Sequence, residues 1–365
     1  MTILVSVVVP TYRRPQLLER CLQALLSQDF PPEAYEVIVV DDGPEDAATR
    51  QLVIEWQQRM QDNYAFLIPP VIAEIPAEIP VTGGRHFLQA EPTYQVMAGQ
   101  AASPHLTYLP AYQTRGPAAA RNLGWRAALG KIIAFTDDDC VPEKDWLANG
   151  VSAFVNGVAG VSGRIIVPLS SDPTDNERNA TGLERSDFVT ANCFYRRSAL
   201  EETGGFDERF STAWREDSDL YFTLRERNYS LAWSTGAIVL HPVRPEHWGS
   251  SLSQQRKSFY NALLYKKHPK LYWRHIQPSP PWNYYGMLVG LGIGAAGLAF
   301  SAPLLALPGL GVWLFLMARF IHSRLQNTAH SPAHVIEVVL TSFLIPFLSI
   351  YWRLRGALHW KVFFL

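Results

Sequence analysis

Short runs of apolar, largely β-branched residues recur along the first two-thirds of the chain, at residues 3–9 (ILVSVVV), 36–40 (EVIVV), 132–135 (IIAF) and 160–167 (GVSGRIIV). Near-continuous apolar character over so few positions predicts strands buried on both faces. Between the first two runs, Leu17, Leu18, Cys21, Leu22, Leu25 and Leu26 recur at helical spacing. A second helix is expected over residues 45–60. Strand, helix, strand with short connections predicts parallel pairing through right-handed crossovers. A shorter strand is expected at 105–109, then a helix that starts near Pro117 after Arg115-Gly116. Trp146 and Leu147 open another short helix, residues 187–197 return to apolar character, residues 214–222 open a helix, and 231–240 form a last strand.

Two stretches break this rhythm. Residues 67–104 contain Pro69, Pro70, Pro76, Pro80, Pro92 and Pro104 with Gly83-Gly84 and no clear period, which predicts an inserted surface loop. Residues 170–183 are polar and loop-like.

From residue 284 the pattern changes to long apolar runs. Residues 284–320 lack charge until Arg319 and are interrupted at Ser301-Ala302-Pro303 and Pro308-Gly309. They predict a helical hairpin that turns within 301–311 with both ends on the cytosolic side. Arg319 and Arg324 follow it as the positive-inside rule expects. Residues 335–352 are a third apolar stretch, broken by Pro346 and followed by Arg353, Arg355 and Lys361. A full crossing would put those charges outside; an interfacial or re-entrant helix avoids this. The expected organisation is a domain over 1–270, a linker over 271–283, and membrane-associated helices over 284–365.

Net charge is -1, which gives no global sign of a nucleic-acid partner. From residue 284 onward, however, five basic residues face one acid, Glu337, an asymmetry suited to an anionic membrane surface. Cys21, Cys140 and Cys193 are too few and scattered for a disulfide framework or a zinc site, and fit a reducing compartment. Residues 2–10 lack a basic start and a small-residue cleavage site, so the main body is expected at the cell membrane, facing the cytosol.

Candidate chemistry gathers where strands end, the side on which open α/β sheets bind ligands. Thr11-Tyr12 follows the first strand, Asp41-Asp42-Gly43 the second, and Asp137-Asp138-Asp139 the strand at 132–135. Three adjacent carboxylates suit either a divalent cation with oxygen ligands or an acidic turn capping the next helix. Arg121 and Asn122, in a helix beginning near the same crevice, suit a phosphate or a base. Glu216 and Asp217 open a helix, where acids compensate the helix dipole or supply a base for a hydroxyl. His241 ends the last strand, as a structural residue or a metal ligand.

Taken together, VVVPTYRR (7–14), VIVVDDG (37–43), RGPAAARNLG (115–124), FTDDDCVP (135–142), GGFDERF (204–210) and REDSDL (215–220) resemble the family 2 inverting glycosyltransferases with the GT-A fold. The resemblance covers residues 3–269. It implies an α/β fold with a Rossmann-like mixed sheet flanked by helices, and Mg²⁺ or Mn²⁺ as cofactor. It also implies that Pro10, Thr11, Tyr12, Arg13, Asp41, Asp42, Arg121, Asn122, Asp137 and Asp138 line the nucleotide-sugar site. Asp137, Asp139 and His241 would serve the metal, Asp139 most directly. Asp217 would be the general base and Glu216 its acceptor-orienting neighbour. UDP is the nucleotide the resemblance implies, and the acceptor is a hydroxyl held at the membrane, on a lipid for instance. Gln254-Gln255-Arg256-Lys257 does not reproduce the Gln-x-x-Arg-Trp motif of processive members, which implies single sugar addition. A polyprenyl-phosphate acceptor is the alternative within the class. A catalytically idle membrane scaffold is the alternative outside it, although a scaffold needs neither acid cluster.

Overall fold

The computed structural model describes residues 3–64, 70–71, 97–98, 104–112 and 116–365. Arg115 and most of the expected 67–104 insertion lie outside them. The chain divides into two compact units, one built from residues 1–168 and 183–242, the other from 169–182 and 243–365. The second unit therefore takes up residues 243–270, expected within the 1–270 domain, and the polar excursion at 169–182 as well.

In chain order the strands are β1 (Val5–Thr11), β2 (Tyr35–Asp41), the dipeptides β3 (Pro70–Val71) and β4 (Met97–Ala98), β5 (His105–Pro110), β6 (Ile132–Phe135), β7 (Val141–Pro142), β8 (Val158–Ile166), β9 (Cys193–Arg196) and β10 (Ser230–Leu240). The helices of the first unit are α1 (Pro15–Leu25), α2 (Ala47–Tyr64), α3 (Pro117–Ala127), α4 (Trp146–Ser152), α6 (Arg197–Thr203) and α7 (Glu216–Glu226). Those of the second are α5 (Asp175–Ala180), α8 (Ser250–Gln254), α9 (Ser258–Lys267), α10 (Pro269–His275), α11 (Trp282–Ala299), α12 (Pro303–Leu325) and α13 (Pro332–Trp360).

The first unit is organised on a mixed sheet ordered β5-β2-β1-β6-β9-β8-β10-β7. The apolar run of β1 sits near its middle, parallel to β2 and β6, and β5 extends the parallel half beside β2. Every residue of β2 and of β6 is buried, as two-sided burial of such runs requires. Beyond β6 the direction reverses: β9 runs antiparallel to both β6 and β8, and β10 returns parallel to β8. The apolar stretch at 187–197 thus contributes the strand that makes the sheet mixed. The expected helical face of α1 is found, with Leu18, Cys21, Leu22 and Leu25 buried. α3 is covered almost all round, and it buries Arg121 and Asn122 along with its alanines.

In the second unit, α11 and α12 form the expected hairpin, with the turn at 300–302 and Pro308 carried inside α12. Their contact depends on small residues: a methyl group on Gly297 would lie 2.3 Å from the Ala306 backbone nitrogen, and one on Gly294 2.7 Å from the Leu310 side chain. α12 and α13 are long and apolar enough to cross a membrane. α13 continues through Pro346, which the sequence read as a break.

The polar excursion at 169–182 forms α5 rather than remaining a loop. Its start is a capping box, in which Thr174 Oγ1 accepts from the Glu177 amide while the Glu177 carboxylate accepts from the Thr174 amide. Arg324 of α12 donates to Asp175 Oδ2 at 2.5 and 3.0 Å, and Arg178 donates to the Asn327 carbonyl at 2.8 Å.

Candidate active site

The carboxyl ends of β1, β2 and β6, the start of α3 and the start of α7 supply the candidate residues. The aspartates follow β6 as a turn and not as strand, so alternation of side chains does not govern them. Each has its own direction. Asp137 Oδ1 accepts from Arg121 Nη2 at 2.8 Å. Asp138, 2% exposed, accepts from the Thr11 hydroxyl at 2.8 Å and from Arg14 Nη1 at 3.3 Å. Burial raises the Asp138 pKa, while Arg14 and Thr11 oppose that rise. Asp139 turns to the end of β10, where its Oδ1 stands 3.8 Å from His241 Nε2.

That last pair is the place to test for a metal. Ligand atoms of Asp139, Cys140 and His241 lie within 4.8 Å of one another, and Asp137 falls outside this group. A separation of 3.8 Å is too long for a hydrogen bond but suits two ligands that share one cation, each about 2.1 Å from it. His241 Nδ1 is buried without a hydrogen-bond partner. Burial pushes the Cys140 thiol well up, which keeps it protonated and a poor ligand for a hard cation. A carboxylate with an imidazole therefore fits a divalent ion such as Mn²⁺, with the remaining positions open to ligand oxygens.

Arg121 ties the aspartate turn to the acids of α7. It is 2% exposed, and while one nitrogen bonds Asp137, Nη1 donates to Glu216 Oε1 at 3.0 Å. Burial alone would weaken its charge, but Asp137 and Glu216 together hold its pKa above the ordinary arginine value. Glu216 is 3% exposed, and burial, which outweighs Arg121, pushes its pKa up to about 7. Asp217 is partly exposed and accepts from the Ser218 amide at 2.5 Å. Burial raises its pKa as well. The pair follows Arg215, which caps α7 in a left-handed conformation with φ 77°. A non-glycine residue held there marks backbone strain next to the acids.

The other candidates divide between facing the crevice and building it. Tyr12 is 49% exposed, with the Arg13 guanidinium 5.2 Å from its ring centre. Asp41 is fully buried, accepting from the Gly43 amide at 3.0 Å and the Tyr108 hydroxyl at 2.8 Å. Asp42 accepts from the Gly116 amide at 2.9 Å and so fixes the start of α3. Pro10 lies within β1.

Asn122, expected to serve a phosphate or base, has internal partners at both ends of its amide. Its Nδ2 donates to the Phe206 carbonyl and Glu208 Oε1, each at 2.8 Å. Its Oδ1 accepts from Trp125 Nε1 and from the Phe206 amide, both at 2.9 Å. With its amide filled by internal partners, Asn122 holds the Gly204–Phe210 turn in place. Sequence reasoning also passed over Arg14 and Tyr108, which anchor Asp138 and Asp41. Arg14 was visible inside the first motif, whereas Tyr108 carried no local signal.

Among known proteins, the chain is 27% identical over 263 residues to the glycosyltransferase AglE of Haloferax volcanii, a match covering 69% of this chain and 70% of that one. It is 33% identical over 177 residues to the pre-mycofactocin glycosyltransferase of Mycobacterium tuberculosis, covering 43% of this chain and 36% of the relative. Among solved structures, the mannosyltransferase PcManGT of Pyrobaculum calidifontis, in complex with GDP-Man and Mn²⁺, superposes with a TM-score of 0.53 at 18% identity. That match covers 99% of this chain and 88% of PcManGT, and it shows a shared GT-A fold. The glycosyl transferase family 2 model matches residues 6–68 and 91–204, a span holding the aspartate turn, the start of α3 and every strand of the main sheet but β10, and this chain belongs to that family.

Proposed function

We propose that this family 2 glycosyltransferase moves one sugar, with inversion, from a UDP-sugar to a hydroxyl held at a membrane. The observation that carries the reading is the Arg121 bridge, at 2.8 Å to Asp137 and 3.0 Å to Glu216. It sets the aspartate turn and the acid pair of α7 in one site, as a direct displacement between donor and acceptor needs.

Tyr12 offers the nucleoside an exposed aromatic face at the end of β1, with Pro10 and Arg13 beside it. Asp41 and Asp42 shape the same edge through their bonds to Gly43, Tyr108 and Gly116. Asp139 and His241 would hold a divalent cation, which when bound offsets charge on the diphosphate. Asp137 stays with Arg121, where it orients the guanidinium. Asp217, exposed enough to meet an acceptor, removes the hydroxyl proton as the oxygen attacks the anomeric carbon. Glu216, anchored on Arg121, fixes the start of α7 and so the position of its neighbour. The departing diphosphate is already acidic and needs no proton, so the two-carboxylate scheme of glycosidases does not apply.

Calorimetric titration of the solubilised protein with UDP and GDP, with and without Mn²⁺, tests the donor site. UDP binding that requires both Mn²⁺ and Asp139 supports it. Failure of folded protein to bind either nucleotide refutes it, and favours the idle scaffold. Product analysis with UDP-sugars then separates a hydroxyl acceptor from a polyprenyl phosphate.

A further inference from the structure

α13 passes for a membrane span by length and hydropathy, yet its neighbours within the second unit argue for another placement. One face of the helix is buried along its whole length, through His334, Val338, Thr341, Ile345, Ile350 and Gly356. Ile336, Leu340, Phe343, Phe347, Tyr351, Leu354 and Leu358 recur at three- and four-residue spacing on the other, all exposed. Contacts to the helix come repeatedly from residues 249–266, the polar run 250–258 and α9 after it. The Gly249 amide donates to Glu337 at 2.7 Å, the Arg256 guanidinium lies 5.5 Å from the Trp352 ring, and Lys266 donates to the Trp360 carbonyl at 2.7 Å. A methyl group on Gly356 would sit 2.4 Å from the Phe259 carbonyl oxygen.

Residues 337–356 rise about 28 Å along the helix axis, close to the thickness of a hydrocarbon core. Alongside them run residues 250–258, Ser-Ser-Leu-Ser-Gln-Gln-Arg-Lys-Ser, with a single apolar side chain. If α13 crossed a bilayer, that polar segment would have to lie at hydrocarbon depth beside it, at a cost of several kcal/mol for each unsatisfied group. A helix lying flat, apolar stripe downward, leaves the segment in water.

Charge points the same way. Between His247 and Leu365 there are eleven lysines and arginines and one acid, Glu337. Arg256, Lys266, Lys270, Arg274, Arg355 and Lys361 are all exposed. Arg256 and Arg355 crowd the same Trp352 ring, at 5.5 and 4.8 Å. Like charges gathered on elements whose one acidic side chain, Glu337, is taken by the Gly249 amide are the complement of an anionic surface.

We propose that α8, α9, α10 and α13 form a face that rests on an anionic phospholipid surface, with α13 in the interfacial plane and not across the bilayer. The inference rests on the reading that the enzyme works at a membrane. It is tested on the full chain reconstituted into phosphatidylcholine vesicles with or without phosphatidylglycerol. Spin labels go on Leu340→Cys, Phe347→Cys and Leu354→Cys, one at a time; the native cysteines are buried. An in-plane helix puts all three labels at one shallow depth, about 5–10 Å into the boundary. A graded depth, with Phe347 near the midplane, overturns the proposal. Spin-labelled phosphatidylglycerol should associate with the unsubstituted protein several-fold more than phosphatidylcholine does, and R256E/R355E/K361E should abolish the preference. Equal association of both lipids with the unsubstituted protein overturns the anionic partner. UDP titration of the same samples reports the donor site separately, so the two readings fail independently.

Discussion

Asp217 and Glu216 differ in what surrounds them, and the difference assigns their roles. Glu216 is nearly sealed and bonded to Arg121, while Asp217 keeps a path to solvent. Asp217→Asn should therefore lower kcat by about 10²–10⁴-fold while leaving UDP affinity within a factor of two, read by steady-state kinetics and titration. Both carboxylates have raised pKa values, Glu216 to about 7, so ionisation of the pair is delayed. The acid limb of kcat/KM should lie above the ordinary carboxylate range, because burial raises both carboxylates. An acid limb at an ordinary aspartate pKa in the unsubstituted enzyme would refute this. The sign for stability is the reverse of that of an acid with a depressed pKa, because burial of Glu216 outweighs its bridge to Arg121. A raised pKa contributes stability below the unfolded value, and this is lost as pH rises through about 7. Thermal unfolding should accordingly show Glu216→Gln gaining on the parent protein between pH 5 and pH 8.

Elements place these residues, and how far each was legible follows from the kind of signal it carried. The buried strands were plain because two-sided burial writes an unbroken apolar run, as in β2. The acids at their ends were legible as chemistry because charge so close to such runs has few structural uses. Nothing local distinguished Asp139, which faces His241, from Asp137, which faces Arg121; tertiary contacts, one over 16 residues and the other over about a hundred, decide that. The antiparallel direction of β9 was equally hidden, since apolar character does not encode strand direction. α5 could have been found, because Thr174-x-x-Glu177 is a capping-box signature inside an otherwise polar stretch. Asn122 carried an ambiguous signal because its residue type suits a ligand as well as a turn. The turn it holds gives a test: Gly205 has φ 77°, and a methyl group there would meet Asn122 Oδ1 at 2.5 Å. Gly205→Ala should cost about 1–3 kcal/mol in chemical denaturation, and displacing Asn122 should weaken transfer as well.

At the scale of the whole molecule, chain order and compact units do not coincide. Residues 169–182 leave the first unit and fold with 243–365, so the second unit is assembled from two separate lengths of chain. Contacts that hold the shorter length there include Arg324 with Asp175, Arg178 with the Asn327 carbonyl, Gln254 Nε2 donating to Asn176 Oδ1 at 3.3 Å, and the Ala329 amide donating to the Pro173 carbonyl at 2.8 Å. α5 has six residues and buries none of them, too little to stand as a helix unaided. The first unit, by contrast, holds its whole eight-stranded sheet and every candidate catalytic residue, His241 included. A chain ending at Pro242 should thus keep metal-dependent nucleotide binding while residues 169–182 lose their partners. Limited proteolysis should cut that chain first within 169–182, and leave the same bonds protected in the full chain. Arg324→Ala in the full chain should expose them partway, since the Asp175 carboxylate then loses its cation. Cleavage of the shortened chain at sites scattered through the sheet would instead show that the second unit is needed for the first to fold.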